Sequence, residues 1–438
     1  MFPRRMSNER QYTALATHSD LVVEQAAIGA GETDPSRATI ANTRRFPGSP
    51  ARLWMIHSHI RERIEEAEFT LSPLAAKSRY ARGRARPEDE SPMRSAFQRD
   101  RDRIVHCKAF RRLKYKTQVF LAWAGDHYST RLTHTMEVAQ VGRSLARALN
   151  LNEDLVEAIS LAHDLGHTPF GHAGEEVLDR LFSEGFHHSE QSLRVVDLLE
   201  HEGEGLNLTA EVLDGVLHHS KVRSGIELAG RGFAHTVEGQ VARLADSIAY
   251  LNHDLGDAVR AGVLREEEVP AVCRATLGTR HSQRINTMVC DAIDHSWEAV
   301  RAAEQSAGQS RQECADLLAA VGEAAQDGRA LVAMGPRVLE ATNALREFLF
   351  VRVYRDSPAK AEEKKVQALM ERLYQHFCAR PQAMPEEFRR NPRGETPERL
   401  VCDYLAGMTD MYAVRVFQDL YLPRAQPGYG FAEGPPVD

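Results

Sequence analysis

The run LAHDLGHTPFGHAGEE at residues 161–176 sets His163, Asp164, His167, His172 and Glu175 within fifteen positions. Imidazole nitrogens and carboxylate oxygens ligate metals, and both groups serve as general acids or bases. Leu161, Ala162, Leu165 and Phe170 stand among them. Polar groups in apolar surroundings are costly unless they are paired or bind metal. A His–Asp doublet alone equally fits a helix end with a solvated carboxylate; the density of ionisable groups is what favours a site. His172 and Glu175 follow at i and i+3 across a new helix start.

Two further residues complete a first shell. His134 lies in STRLTHTMEVAQVG, on the polar edge of a helix starting near Ser129 or Thr130. Asp246 lies in GQVARLADSIAYLNHD, where a carboxylate between Ala245 and Ile248 is poorly explained by solvation. His134, His163, Asp164 and Asp246 would supply two imidazoles and two carboxylates. That mixed nitrogen and oxygen set suits Mn²⁺, Fe²⁺, Co²⁺, Ni²⁺ or Zn²⁺ and leaves room for water and a substrate oxygen.

The elements that must position these residues read as helices. Apolar spacing predicts one over 132–149, with Met136, Val138, Val141, Leu145 and Leu149 on one side, and another over 153–165 after an Asn152 cap. Gly166 and Pro169 stop that second helix. Residues 51–69, 190–200, 209–219, 236–254, 284–305, 311–325, 338–353, 359–378 and 397–416 also carry helical spacing, and 70–100 reads as irregular. VRVY at 351–354 is the best strand candidate. The expected fold is therefore all-α with minor β content. Residues 1–50 are expected to form a disordered extension, 51–265 the catalytic core, 266–422 a helical region packing on that core, and 423–438 a flexible tail.

Composition narrows the setting. The 438 residues carry 55 basic and 62 acidic side chains, a net charge of −7, so any phosphate site must be a local basic cluster. No apolar run reaches the roughly 20 residues needed to span a bilayer, and the N-terminus lacks the apolar stretch of a secretory signal. The six cysteines (107, 273, 290, 314, 378 and 402) form no CxxC pair. Reduced thiols in a cytoplasmic protein are expected, rather than a cysteine zinc site.

The H…HD…D series resembles the HD superfamily of phosphohydrolases. Longer strings resemble its deoxyguanosine triphosphate triphosphohydrolase branch: FQRDRDRIVHCKAFRRLKYKTQVF (97–120), RLTHTMEVAQVGRSLAR (131–147), HDLGHTPFGHAGE (163–175), HHSEQSLRVV (187–196), EGQVARLADSIAYLNHDLGDA (238–258) and VCDYLAGMTDMYA (401–413). They appear in order and cover about 50 to 420. The resemblance implies an HD-domain helical fold with additional C-terminal helices. It also implies hydrolysis of a deoxynucleoside triphosphate (dNTP) to deoxynucleoside and inorganic triphosphate, with water attacking the α-phosphorus as the 5′ oxygen leaves.

It assigns the metal to His134, His163, Asp164 and Asp246, with Mg²⁺ or Mn²⁺ expected and Fe²⁺, Co²⁺, Ni²⁺ and Zn²⁺ compatible. His172 and Glu175 become the catalytic pair, His172 being favoured as proton donor. Arg131, His167 and His188 become phosphate contacts. Tyr250, at i+4 from Asp246, would pack against the ribose C2′; Asp254, at i+8, and Gln118 would bind the 3′-hydroxyl. Homo-oligomers, often hexamers, and activation by a second dNTP or single-stranded DNA are further implications, with no membrane partner.

Ser247 and Met411 depart from the basic residues expected there. For Lys114 and Lys116, a solvated face or subunit contact competes with substrate binding. Two other classes remain open: another HD phosphohydrolase (nucleotidase or phosphodiesterase), and a nucleotide-sensing or nucleic-acid-binding HD protein.

Overall fold

The computed structural model describes residues 59–118, 129–220, 232–306, 311–355, 359–391 and 393–423. The expected extension at 1–50 and the tail beyond Pro423 lie outside them. Helices of seven or more residues are α1 (Ile60–Ala67), α2 (Ala96–His106), α3 (Arg131–Ala148), α4 (Glu153–Ala162), α5 (His172–Leu181), α6 (His188–Arg194), α7 (Ala210–His218) and α8 (Val237–Arg260). They continue with α9 (Ala271–Leu277), α10 (His281–Ser306), α11 (Arg311–Gln326), α12 (Pro336–Leu349), α13 (Ala359–Ala379), α14 (Pro397–Ala406) and α15 (Asp410–Tyr421). The fold is all-α. Strand-like pairing among the described residues is confined to two isolated bridges, Arg84 with Thr209 and Thr117 with Thr130.

Local chemistry sets the boundaries. The Asn152 side chain accepts from the Leu155 amide and starts α4, as its type and position predict. The Thr236 side chain accepts from the Gly239 amide and starts α8. Residues 351–354 are not a strand. They lie in a π-helical turn, Phe350–Arg355, that prolongs α12. Leu349 and Val353, four residues apart, are both buried; that spacing packs one helical face, whereas a strand would alternate. The stretch expected as one helix over 397–416 breaks into α14 and α15. The Thr409 side chain caps α15 by accepting from the Tyr412 amide. Met136 is exposed rather than in the core, because it stands two residues around α3 from buried His134.

The helix α8 is the axis of the molecule. It packs on α3, α4, α7, α10 and α12. One apolar cluster joins Leu74, Val141, Leu255, Met288 and Leu345, so residues on both sides of 265 share a core. A second gathers α2, α4 and α7 around Phe97, Ile159 and Val212. A third packs Val177 and Phe182 against Met370, Tyr404 and Leu405.

Candidate active site

The last turn of α4 and the first turn of α5 bracket the centre. The chain leaves α4 at His163 through tight turns, His167 N–H donating to the Asp164 carbonyl. Gly166 is required there: a Cβ would lie 2.1 Å from the Ser192 amide nitrogen of α6. This approach, tied by Ser192 Oγ donating to the His163 carbonyl at 2.6 Å, seats α6 and its His188 beside His167. Gly171 then turns the chain into α5 with φ at +60°, a conformation glycine adopts without cost.

The four residues expected to ligate metal come together. Donor atoms of His134, His163 and Asp164 lie within 4.8 Å of one another. Asp246 Oδ1 is 3.1 Å from His134 Nε2 and 3.8 Å from His163 Nε2. His163 Nδ1 donates to the Ser160 carbonyl at 2.7 Å, which leaves its buried Nε2 as a lone pair without a hydrogen-bond partner. That tautomer, with a backbone carbonyl fixing the far nitrogen, is the one a metal requires. The residues therefore fit a divalent ion. Burial opposes ionisation of Asp164, but His163, His167 and Arg131 hold its carboxyl well below the usual range. Asp246 is likewise held low against burial by His134 and His163.

Beside this group, Glu175 organises two histidines rather than the one expected. Its Oε2 accepts from His172 Nδ1 at 3.0 Å, and its Oε1 accepts from the His188 backbone amide and Nδ1, both at 2.8 Å. His188 Nε2 faces His219 Nε2 at 3.3 Å. His219 donates through Nδ1 to the Val216 carbonyl at 2.7 Å. Burial, with His163 and His188 nearby, pushes it down to about 3, so it is neutral. Its Nε2 is then an acceptor, and His188 donates from both nitrogens as an imidazolium. Burial alone would lower His188; Glu175 overrides that and raises it. Glu175 itself is held well below its ordinary range against burial by His188 and His172. The His167 ring stacks on His188 at 4.0 Å. Burial and the charges of Arg131 and His188 keep His167 neutral.

These groups surround a cavity of about 210 Å³ whose wall includes Gln118, Arg131, His172, Tyr250 and the acidic pair Asp164 and Asp246. Arg131 is buried and donates to Asp164 Oδ2 at 2.8 Å. Asp254 is fully buried further along α8 and does not form part of the cavity wall among the described residues. Lys116 is buried too, its Nζ donating to the carbonyls of His167 and Ala406 at 2.5 and 2.8 Å. Burial drives its ammonium down to about 7. Lys114 instead lies 5.4 Å over the Tyr115 ring. Asp410 ties α15 to the site by accepting from the Thr117 and Phe170 amides, whereas its neighbour Met411 is exposed.

His219 and Arg346 line the cavity without having stood out in the sequence. The doublet His218–His219 was the available signal for the first. Adjacent helical residues point about 100° apart, and His218 turns instead to Asp214, 3.1 Å away. Nothing in the spacing around Arg346 marks it.

An all-helical fold closing over a His/Asp cluster is the arrangement of an HD-domain protein. The HD domain model matches residues 131–251, and the phosphohydrolase-associated domain model matches 332–419. A deoxyguanosinetriphosphate triphosphohydrolase-like protein of Caldanaerobacter subterraneus subsp. tengcongensis is 50% identical over 83% of this chain and 96% of its own length. Proteins of that description from Desulfatibacillum aliphaticivorans and Geobacter sulfurreducens are 45% and 38% identical, over 83% and 82% of this chain and 98% and 97% of theirs. The chain is a metal-dependent HD phosphohydrolase, and it belongs to the deoxyguanosinetriphosphate triphosphohydrolase-like family. Among the described residues no helix is long and apolar enough to cross a membrane. Cys107, Cys273, Cys290, Cys378 and Cys402 are free thiols.

Proposed function

We propose that the protein hydrolyses dNTPs to deoxynucleoside and inorganic triphosphate. The observation that carries this reading is Glu175 holding His172 and His188 at the rim of the cavity that also contains His134, Asp164 and Asp246.

His134, His163, Asp164 and Asp246 would hold a divalent ion, Mg²⁺ or Mn²⁺ first among those compatible. Bound there, it supplies Lewis-acid polarisation of a phosphate oxygen and acidifies water. The chain's own groups divide the remaining work. Glu175 fixes His172 through Nδ1, so that Nε2 presents a proton to the departing 5′ oxygen as the bond to the α-phosphorus breaks. Water oxygen ends on the triphosphate, and the proton ends on the deoxynucleoside. The His188 imidazolium and Arg131 offset charge that develops on the α-phosphate, with neutral His167 as a hydrogen-bonding neighbour. Tyr250 occupies the space of a 2′-hydroxyl, and Gln118 meets the 3′-hydroxyl. Asp254, standing behind the wall, reaches that hydroxyl only if the wall moves. Residues 51–265 act as catalytic core with 266–422 packed on it, in a cytoplasmic homo-oligomer, a hexamer in the family's usual form.

The test is a panel of dNTPs and NTPs with Mg²⁺ or Mn²⁺, supplied singly and as mixtures, with and without single-stranded DNA, followed by phosphorus NMR. Triphosphate as first product is expected. Phosphate or a nucleoside monophosphate first would point to a nucleotidase or phosphodiesterase, and no turnover of any nucleotide would leave a sensing protein.

A further inference from the structure

Several arginine side chains around the core have carboxylate partners, Arg131 with Asp164, Arg284 with Glu266 and Arg352 with Glu268, and buried Arg243 donates to the His218 and Gly232 carbonyls. Arg346 lines the cavity and makes no side-chain ion pair or hydrogen bond among the described residues. It is also held in place. Its helix α12 buries Ala341, Thr342, Leu345 and Leu349, and packs on α8, which carries Asp246, Ser247 and Tyr250. Other polar groups of the wall are already engaged, His188 by Glu175. Ser247 offers a hydroxyl already donating to the Arg243 carbonyl at 3.0 Å. The cavity's other arginine, Arg131, is engaged by Asp164.

We propose that Arg346 is a substrate-binding cation, contributed by the C-terminal helical region, that engages the phosphates remote from the reacting phosphorus. The inference rests on the dNTP reading above and deepens it. A guanidinium without a carboxylate partner offers a forked set of donors matched to phosphate oxygens. Set on α12, which carries none of the four expected metal ligands, it makes the length of the phosphate chain a determinant of affinity, favouring triphosphates over monophosphates.

The experiment measures binding of inorganic triphosphate and of 2′-deoxyguanosine to metal-loaded wild type, Arg346→Ala, Arg346→Gln and Arg346→Lys, together with KM for a dNTP. Loss of a charge-assisted hydrogen bond predicts about ten- to a hundredfold weaker triphosphate binding in the Ala and Gln variants. KM should rise in parallel, while deoxyguanosine binding, metal content and melting temperature stay unchanged. Lys should recover part of the loss. Wild-type triphosphate affinity in Arg346→Ala and Arg346→Gln overturns the proposal, as does a wild type that binds no triphosphate. Triphosphate binding that depends on Arg346 in a protein that hydrolyses no dNTP supports the anion site and overturns only the dNTP reading.

Discussion

His188 donates from both its backbone amide and its Nδ1 to a single oxygen of Glu175, each at 2.8 Å. The other oxygen of that carboxylate holds His172 at 3.0 Å. One side chain at the start of α5 thus sets the orientation of one imidazole on its own helix and one on α6.

Glu175→Gln should therefore disturb both histidines. The amide cannot hold His188 as an imidazolium, and its NH₂ group mismatches one of the two Nδ1–H donors. We expect kcat to fall by about a hundredfold or more. Bound metal, measured by elemental analysis, should be unchanged. Unaltered kcat across the pH profile would remove Glu175 from the mechanism.

Asp164→Ala should abolish metal binding and turnover together. It also strands the buried Arg131 guanidinium, whose partner it removes. Breaking a buried pair costs roughly 3 kcal/mol or more, so the melting temperature should drop while helical circular dichroism persists. Stoichiometric metal in the variant would show that other residues form the site.

Tyr250 lines the cavity while Asp254 does not, which separates two substitutions on one helix. Tyr250→Ala should raise NTP relative to dNTP turnover, read as the ratio of kcat/KM values. Asp254→Asn should leave that ratio unchanged and act mainly on melting temperature. If the ratio is the same in wild type and Tyr250→Ala, the ring is only a packing residue.

His253 provides a pH prediction. It is buried between Glu137 Oε2 at 2.8 Å and Asp257 Oδ2 at 3.2 Å. Burial works to lower it, but those carboxylates raise it from 6.5 to about 10. A folded value above the unfolded one gives stability fully present below pH 6.5 and lost as pH rises through about 10. The stability advantage of wild type over His253→Gln, from urea unfolding, should shrink across that window. An advantage constant from pH 6 to pH 10 would contradict the clamp.

The sequence alone determined most of the helices and the His163–Asp164 end of α4 around which the site gathers. Asn152 starts α4 through a bond three residues away, and His163 with Asp164 closes it; such interactions are local, so residue type and spacing specify them. The motif at 163–175 and Asp246 were legible for the same reason, together with the cost of burying charge beside Ala245 and Ile248. Tertiary structure decided what lies far apart in the chain. Glu175 reaches His188 thirteen positions on because Gly166 lets α6 approach. His219 rather than His218 enters the cavity because packing of α7 chooses which face turns inward, and Arg346 arrives from α12 through the core it shares with α8. Residues 351–354 and 407–409 went against local expectation, because burial of Val353 and the Asp410 bonds to Thr117 and Phe170 are gained only when distant segments meet.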